Sequence, residues 1–437
     1  MQKYQDVILD AAGNVVPNAT IQVQFYPGGG APVIYSDNGV TVATNPLTSD
    51  SKGRFSFYAA DGRYQLVVTG AAIGTNTVLD VLLQDMPPAV TIGVGGYALN
   101  SIASINGGQL AGLRNRIING DMRIDQRNNG ASLTVGTGGA YALDRWACNA
   151  SAASKFSAQR NAGGITPPPG FAYYLGITSL SAYAPVGNES FDVEQVIEGY
   201  NAADLQWGTA GAVATRLTFW AYSSLTGTFG GSIATTKGSI WVMPFTYSIP
   251  VANTWTLITV NITPPTATSG PNTDSLAGVY VRFNLGCVGS FAGGVAGVWT
   301  NAGNYIAAPG TVSLVSTNGA TLYLTGVDFK RGATVEPFEQ RPYGMELALC
   351  QRYYQTLSDI LLGMYSPSAQ TYYADFILPT VMRASPTAAV VGSVTYTNAN
   401  SYVINSAGTS RLRLSANVSA AGYGFAYGAT LTLNAEL

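Results

Sequence analysis

Carboxylates are the residues of this sequence with the best-placed chance of doing chemistry. Glu189, Asp192, Glu194 and Glu198 fall close together, and Asp144 lies upstream in the stretch ALDRW. Glycoside cleavage needs two carboxyl groups about 5–10 Å apart, one protonated and one ionised. Alternate residues of a strand share a face, so Asp192, Glu194 and Glu198 would sit together. Phe191, Val193 and, through a slight irregularity, Val196 would turn the other way. A solvated sheet face explains this spacing without an enzyme, and that is the expectation here. A second acidic run, Glu336, Glu339 and Glu346, belongs to a charged, helix-like segment and is read as structural for the same reason.

Other catalytic routes are closed by composition. The chain has no histidine, which removes the usual general base, the commonest metal ligand and every Ser-His or Cys-His pair. Cys148, Cys287 and Cys350 are far apart and odd in number, so they read as small buried hydrophobes rather than as a disulfide framework or a metal motif. Gly28, Gly29 and Gly30, and the stretch GSFAGGVAGVW at 289–299, do not lie between a strand and a long helix, which makes them loops rather than phosphate cradles. The N-x-S/T sites at Asn18 and Asn188 carry little meaning without a secretory leader, and none is expected at MQKYQDVILD. Asp and Asn side chains within 121–129 could offer oxygens to a hard cation, yet the calcium-loop pattern is missing. No catalytic residue, cofactor or metal is expected.

Aromatic side chains are the remaining candidates. Trp220 and Trp255 lie in cleanly alternating stretches and read as core. Trp207, in the turn-like ADLQWGTAG, and Trp299, in a Gly-rich loop, read as surface contacts. Near the C-terminus, Tyr365, Tyr372, Tyr373, Tyr402, Tyr423 and Tyr427 are expected in loops, some of them in the core. Tyr423 and Tyr427, beside Gly, are the exposed candidates, because Tyr with Gly gives stiff contact area on an adaptable backbone. The candidate glycan or receptor contacts are therefore Trp207, Trp299, Tyr423 and Tyr427.

The elements that must hold these residues are strands. The chain has 437 residues, 47% hydrophobic and 10% charged, with 51 Gly, 26 Tyr and 15 Phe, against about 25% charged residues in an ordinary soluble domain. Its net charge of -2 and the lack of any basic run exclude nucleic acid as a partner. No apolar run is long enough to suggest a membrane span. Residues 1–88 read as a β-sandwich: a turn at Asp10 to Asn14 separates two alternating stretches, and Phe55, Phe57, Tyr64, Leu66 and Val68 recur at period two around a hairpin turn at Asp61-Gly62. Residues 89–114 are Gly-rich and read as a linker, either a tether or a weak amphipathic segment on a shared axis. Residues 115–344 read as a two-sheet jelly roll of short strands. At 345–358 the spacing of Met345, Leu349, Tyr353 and Leu357 predicts a connector helix with its charges facing solvent or a neighbouring subunit. Residues 359–437 alternate again and read as a distal β-sandwich.

Two parts of the chain carry a resemblance. The first 80 or so residues are similar to prealbumin-like, carboxypeptidase-regulatory-like folds used as rigid spacers in bacterial and phage surface proteins. The stretches NRIINGDMRIDQR, ALDRW, FDVEQVIEGYNAADLQWGTAGAVATRLTFWAYSSLTGTF and VEPFEQRPYGMELALCQRYYQ, in that order, resemble the carbohydrate-binding-module-like jelly roll of tailed-bacteriophage fibre and receptor-binding proteins. The resemblance implies a structural, often trimeric virion component and leaves the ligand open. The resulting expectation is an all-β homotrimeric fibre on the exterior of a phage particle, at the tail. Its N-terminal domain would dock on other virion proteins, and its tip would attach to host surface polysaccharide or protein without catalysis. A head, collar or baseplate decoration fibre is the alternative, and a polysaccharide depolymerase a second one.

Overall fold

Period-two alternation of apolar residues dictates the strands of the N-terminal unit. The computed structural model describes residues 1–84, 113–266, 270–332 and 336–437, so most of the expected linker, 89–112, lies outside the described residues. The protein is nearly all-β, with 46% strand and 6% helix, and divides into two units, Met1–Asn100 and Ser101–Leu437.

In the first unit two four-stranded antiparallel sheets enclose one core. One sheet has the order Gln2–Val7, Arg54–Ala59, Ile34–Tyr35, Val42–Ala43; the other has Leu47–Thr48, Thr20–Phe25, Gly62–Gly70, Gly74–Leu83. Ile21, Val23, Phe57, Tyr64 and Leu66 are buried between them. Phe55, Phe57, Tyr64, Leu66 and Val68 do face inward as their period requires. The strands that carry them are not a hairpin, however: Arg54–Ala59 pairs with Gln2–Val7, whereas Gly62–Gly70 pairs with Thr20–Phe25. The bend at Asp61 therefore carries the chain from one sheet to the other. At Asp10 the expected turn forms, with the carboxylate accepting the N–H groups of Ala12 and Asn14 at 2.9 Å each.

The second unit opens with two six-stranded sheets whose inner faces share one core. The first sheet runs Gly138–Leu143, Trp146–Ala150, Ser190–Glu198, Ala277–Cys287, Gly227–Thr235, Trp241–Ile249, and the second Thr256–Ile262, Thr215–Ser223, Thr321–Arg331, Leu175–Ser179, Phe156–Arg160, Leu133–Thr134. Trp146, Phe156, Phe191, Phe219, Phe229 and Phe283 are fully buried in it. On Thr215–Ser223, Leu217, Phe219 and Ala221 point inward, while Trp220 and Tyr222 stand half-buried on the outer face. The expectation of Trp220 as a core residue is corrected by that parity. Trp255 is also half-buried, against Tyr174 and Tyr222.

The charged segment folds as a helix, Tyr343–Gln351, that is shorter and differently faced than its spacing predicts. Met345 is 45% exposed, and the inward residues are Glu346 and Cys350. Buried Arg341 sets this face: its Nη1 donates to both oxygens of Glu346 at 3.2 Å, and Glu346 also accepts the N–H of Asn119. The helix stops where Tyr354–Leu357 becomes a strand paired with Thr430–Asn434. Three three-stranded sheets follow around Leu412, Leu414, Leu431 and Leu433.

Candidate functional site

The suspected acids turn inward and serve as ties. Asp192 and Glu198 are 2% and 1% exposed, which overturns the solvated-face expectation for Ser190–Glu198. That strand lies inside its six-stranded sheet, with irregular register at both ends. Asp192 accepts Asn149 Nδ2 at 3.1 Å, and burial, then the nearby Glu194 charge, raise its carboxyl above the usual range. Glu194 pairs with Arg282 at 3.1 Å. Glu198 accepts Arg352 Nη2 at 2.6 Å, Arg352 Nε at 2.9 Å and the Tyr353 hydroxyl at 2.7 Å. Glu189 accepts the Tyr183 hydroxyl at 2.8 Å. Asp144, raised by burial, accepts the backbone and side-chain N–H of Gln126 at 2.6 and 2.8 Å. Glu189, Glu198 and Asp144, each accepting two or more hydrogen bonds, are poorly suited to exchange protons with a substrate, and Asp192 is closed off from one by burial.

In the 121–129 stretch the oxygens are likewise engaged. Asp121 pairs with Arg123, and Asp125 accepts the N–H groups of Asn128 and Gly130.

Of the candidate contact residues, Trp207 and Trp299 come together, Trp207 in the core and Trp299 half-buried at its edge. Trp207 is 3% exposed and meets Trp299 edge to face at 5.4 Å and Phe329 at 6.0 Å. Its Nε1 donates to Val213 O at 2.8 Å. The short helical turn Ala203–Leu205 precedes it and directs the indole inward. Trp299 is half-buried, with Nε1 held by Thr263 O at 2.8 Å. Large apolar rings whose one polar group finds a backbone acceptor are stably placed inside.

Tyr423 and Tyr427 stand at the surface, 67% and 42% exposed. They lie on a strand, Gly422–Tyr427, and not in loops; Tyr365, Tyr372 and Tyr373 are likewise on strands. Alternation puts Tyr423, Phe425 and Tyr427 on one face, with Gly424 and Ala426 buried on the other. Gly424 has to be small, because a Cβ there would meet Val418 Cγ2 at 2.7 Å. On the neighbouring strand Leu362–Ser366, Tyr365 lies opposite Tyr423 and Gly363 opposite Phe425. The Tyr365 and Tyr423 rings meet at 5.2 Å and 65°, and Tyr423 is parallel to Phe425 within 9°. A Cβ on Gly363 would touch Phe425 Cδ1 at 3.0 Å, so the glycine gives that ring its seat. Thr395 and Thr397 flank Tyr427 and Phe425 from the third strand.

None of these three strands carries a charge. The result is an open, uncharged sheet face bearing four aromatic rings, with phenol hydroxyls and Thr oxygens at their edges. Such a face can stack on the C–H face of a sugar ring and hydrogen-bond its hydroxyls. Phe425 is the member that sequence reasoning missed, and Tyr365 was named among the C-terminal tyrosines without being chosen as a contact. The signal was an inverted strand, in which bulky aromatics alternate with Gly and Ala.

No family model matches the sequence, and no curated protein matches it. Among solved structures the chain is similar to the enzymatically active domain of bacteriophage CBA120 tailspike protein 4, with 15% identity over 50% of this chain and TM-score 0.28. That match spans 21% of the tailspike chain. It is similar to a protein described as "CBM4 structure and function", with 14% identity over 40% of this chain and 86% of the other, TM-score 0.21. A protein of Bacteroides thetaiotaomicron described as a "putative sugar binding protein" matches at 12% identity over 50% of this chain and 100% of its own, TM-score 0.31.

Proposed function

We propose that this chain is a homotrimeric fibre of a tailed-phage particle that attaches to host surface glycans without cleaving them. The N-terminal unit would dock on the virion, and the last sandwich would present the contact surface. The observation that carries the reading is the uncharged aromatic face of Tyr365, Tyr423, Phe425 and Tyr427, two of whose rings are 59% and 67% exposed. A neutral aromatic surface suits repeated weak stacking on sugars, and three copies per fibre would multiply it. The engagement of Glu189, Asp192, Glu194 and Glu198 in internal ties favours attachment over hydrolysis.

The test is binding of the whole protein to purified polysaccharide from the host surface, with a reducing-end assay alongside. Saturable binding without released ends is expected, and the double change Tyr423→Ala, Tyr427→Ala should weaken it about tenfold or more, at roughly 0.5–1.5 kcal/mol per ring. Binding that survives the double change, or release of reducing ends, would overturn the reading. A sedimentation mass near one chain would remove the trimer.

A further inference from the structure

We infer that Asp192, Glu194 and Arg282 form a pH-sensitive latch that releases the segment 288–313 from the outer face of the first jelly-roll sheet as pH rises. The latch stands whether or not the chain attaches to glycans. Phe191 and Val193 point into the core, and so do Phe283 and Leu285 on the neighbouring strand. Alternation therefore puts Asp192, Glu194, Arg282 and Asn284 on the outer face. Asp192 is nevertheless 2% exposed, Asn284 2% and Arg282 7%, so that face is covered.

The cover is the long connection that follows the strand Ala277–Cys287. Its Asn304 Oδ1 accepts Arg282 Nη1 at 2.7 Å, and its Thr311 Oγ1 accepts Asn284 Nδ2 at 3.2 Å. Asp192 lies between these ties and the sheet edge, with Asn284 on one side in register and Asn149 on the other. The sheet is cut away to seat the connection: a Cβ on Gly230 would lie 2.7 Å from Thr311 Cγ2 and 3.0 Å from Ala307 Cβ. Segment 288–313 holds no Asp, Glu, Lys or Arg, so it brings no charge to the groups beneath it.

Two carboxyl groups on this face share one cation. Arg282 Nε donates to Glu194 at 3.1 Å, while Asp192 receives the Asn149 amide at 3.1 Å. Burial, then the Glu194 charge, raise the Asp192 carboxyl from 3.8 to about 7 against the pull of Arg282. The other titratable neighbours stay neutral across that range. Burial pushes the Cys287 thiol up to about 11 and raises the Cys148 thiol and the hydroxyls of Tyr280 and Tyr141, and the cover itself contributes Tyr305. Lifting the cover hydrates Asp192 and returns it to an ordinary carboxylate value. Between about pH 4 and pH 7 the closed state therefore holds a proton that the open state has lost. Closure is tightest below that window, weakens as pH rises through it and levels off above. Ionised Asp192 also competes with Asn304 for the Arg282 guanidinium.

Hydrogen exchange of the full chain, read by mass spectrometry from about pH 5 to pH 8 and corrected for the intrinsic rate, tests the latch. Protection of peptides within 288–313 is expected to fall about tenfold or more between pH 5 and pH 7, while peptides within 54–70 of the first unit keep theirs. Asp192→Asn should abolish the fall and hold the cover at its low-pH protection. Glu194→Gln removes a charge that raises Asp192 and should move the fall to lower pH. It leaves Asp192 in place, so the test stays decisive if Asp192→Asn fails to fold. Protection that is flat with pH in the parent, an equal fall in both units, a fall that survives Asp192→Asn, or one that Glu194→Gln leaves at the same pH each overturns the proposal. None of these results touches the attachment reading, whose test lies with Tyr423 and Tyr427.

Discussion

Glu198→Ala should loosen the second unit of the chain without touching any reaction. The carboxylate side chain is 0% exposed and tied to Arg352 at 2.6 Å, with the Tyr353 hydroxyl at 2.7 Å. Charge-assisted hydrogen bonds contribute about 1.5–3 kcal/mol each, and a buried polar group left unmet costs about 1–3 kcal/mol. Tyr353 is fully buried and would keep its unmet hydroxyl, while Arg352, 31% exposed along its side chain, would regain water. The loss should therefore sit near about 3 kcal/mol, at the lower end of the roughly 3–5 kcal/mol for breaking a buried pair. Glu198→Gln keeps the shape and one acceptor oxygen and should lose about half as much. Urea unfolding followed by circular dichroism measures both. At a slope of about 3 kcal/mol per molar the alanine variant should unfold about 1 M earlier. An alanine variant as stable as the parent would refute the structural assignment. So would a parent that cleaves glycans and a variant that folds normally but does not.

Burial raises the Asp328 carboxyl to about 6 against an ordinary 3.8, although Lys330 pulls the other way. Between those values the folded state holds the proton that the unfolded chain has lost. Stability contributed at Asp328 is therefore full below about pH 4, falls as pH rises and levels off above about pH 6, by roughly 1–3 kcal/mol in all. Comparing the parent with Asp328→Asn by urea unfolding from pH 4 to pH 7 should show the parent's relative stability falling; a constant difference would refute it. Gly326→Ala should cost about 1–3 kcal/mol, since its positive φ and the contact with Phe171 both resist a methyl group; an unchanged melting temperature would contradict the packing described. Cys148 and Cys350 are buried, with burial raising both thiols, so an aromatic disulfide reagent should label neither in the folded protein and both in denaturant; rapid labelling in the native state would oppose that.

Strand position was legible in this sequence and strand partnership was not. The period-two run from Phe55 to Val68 says which face of each strand is buried, and the core agrees. It does not say that Arg54–Ala59 and Gly62–Gly70 would join different sheets, because both sheets present the same apolar inner face to one core. The helix shows the opposite failure. Met345, Leu349, Tyr353 and Leu357 make an apolar stripe on paper, yet the inner face is set by Arg341 and Glu346, a pair that apolar spacing cannot register. Its C-terminal end is decided by a strand some 80 residues later, Thr430–Asn434, which captures Tyr354–Leu357. At the site, Tyr423 and Tyr427 were found because glycine lies beside each of them. The physical reason is not loop flexibility but that only small residues fit the inner side of that strand. Trp207 misled because its turn-like context spoke for exposure, whereas the area of its ring decided for burial.

The scarcity of charge and the aromatic surface have one common cause in where the charges are placed. Arg145 and Glu436 pair with side chains 1% and 5% exposed, Arg341 and Glu346 with 4% and 5%, Lys330 and Asp328 with 4% and 3%. The first pair ties the jelly roll to the C-terminal end, where Arg127 also joins Glu436 from beside Tyr354 and Arg145 lies over the Tyr353 ring at 3.6 Å, and the second holds the helix to Ile117 O and the Asn119 N–H. Buried pairs add little net stability over apolar residues of equal size, but removing one partner is strongly destabilising. The Arg145–Glu436 and Arg341–Glu346 pairs therefore act as locks on a single arrangement of the second unit. With 44 ionisable Lys, Arg, Asp and Glu residues in all, 21 basic and 23 acidic, each one placed inside leaves the surface more neutral. The same allocation that fixes the modules of the second unit leaves Tyr365, Tyr423 and Tyr427 facing water without charged neighbours on their strands, and gives that face stacking as its strongest available interaction.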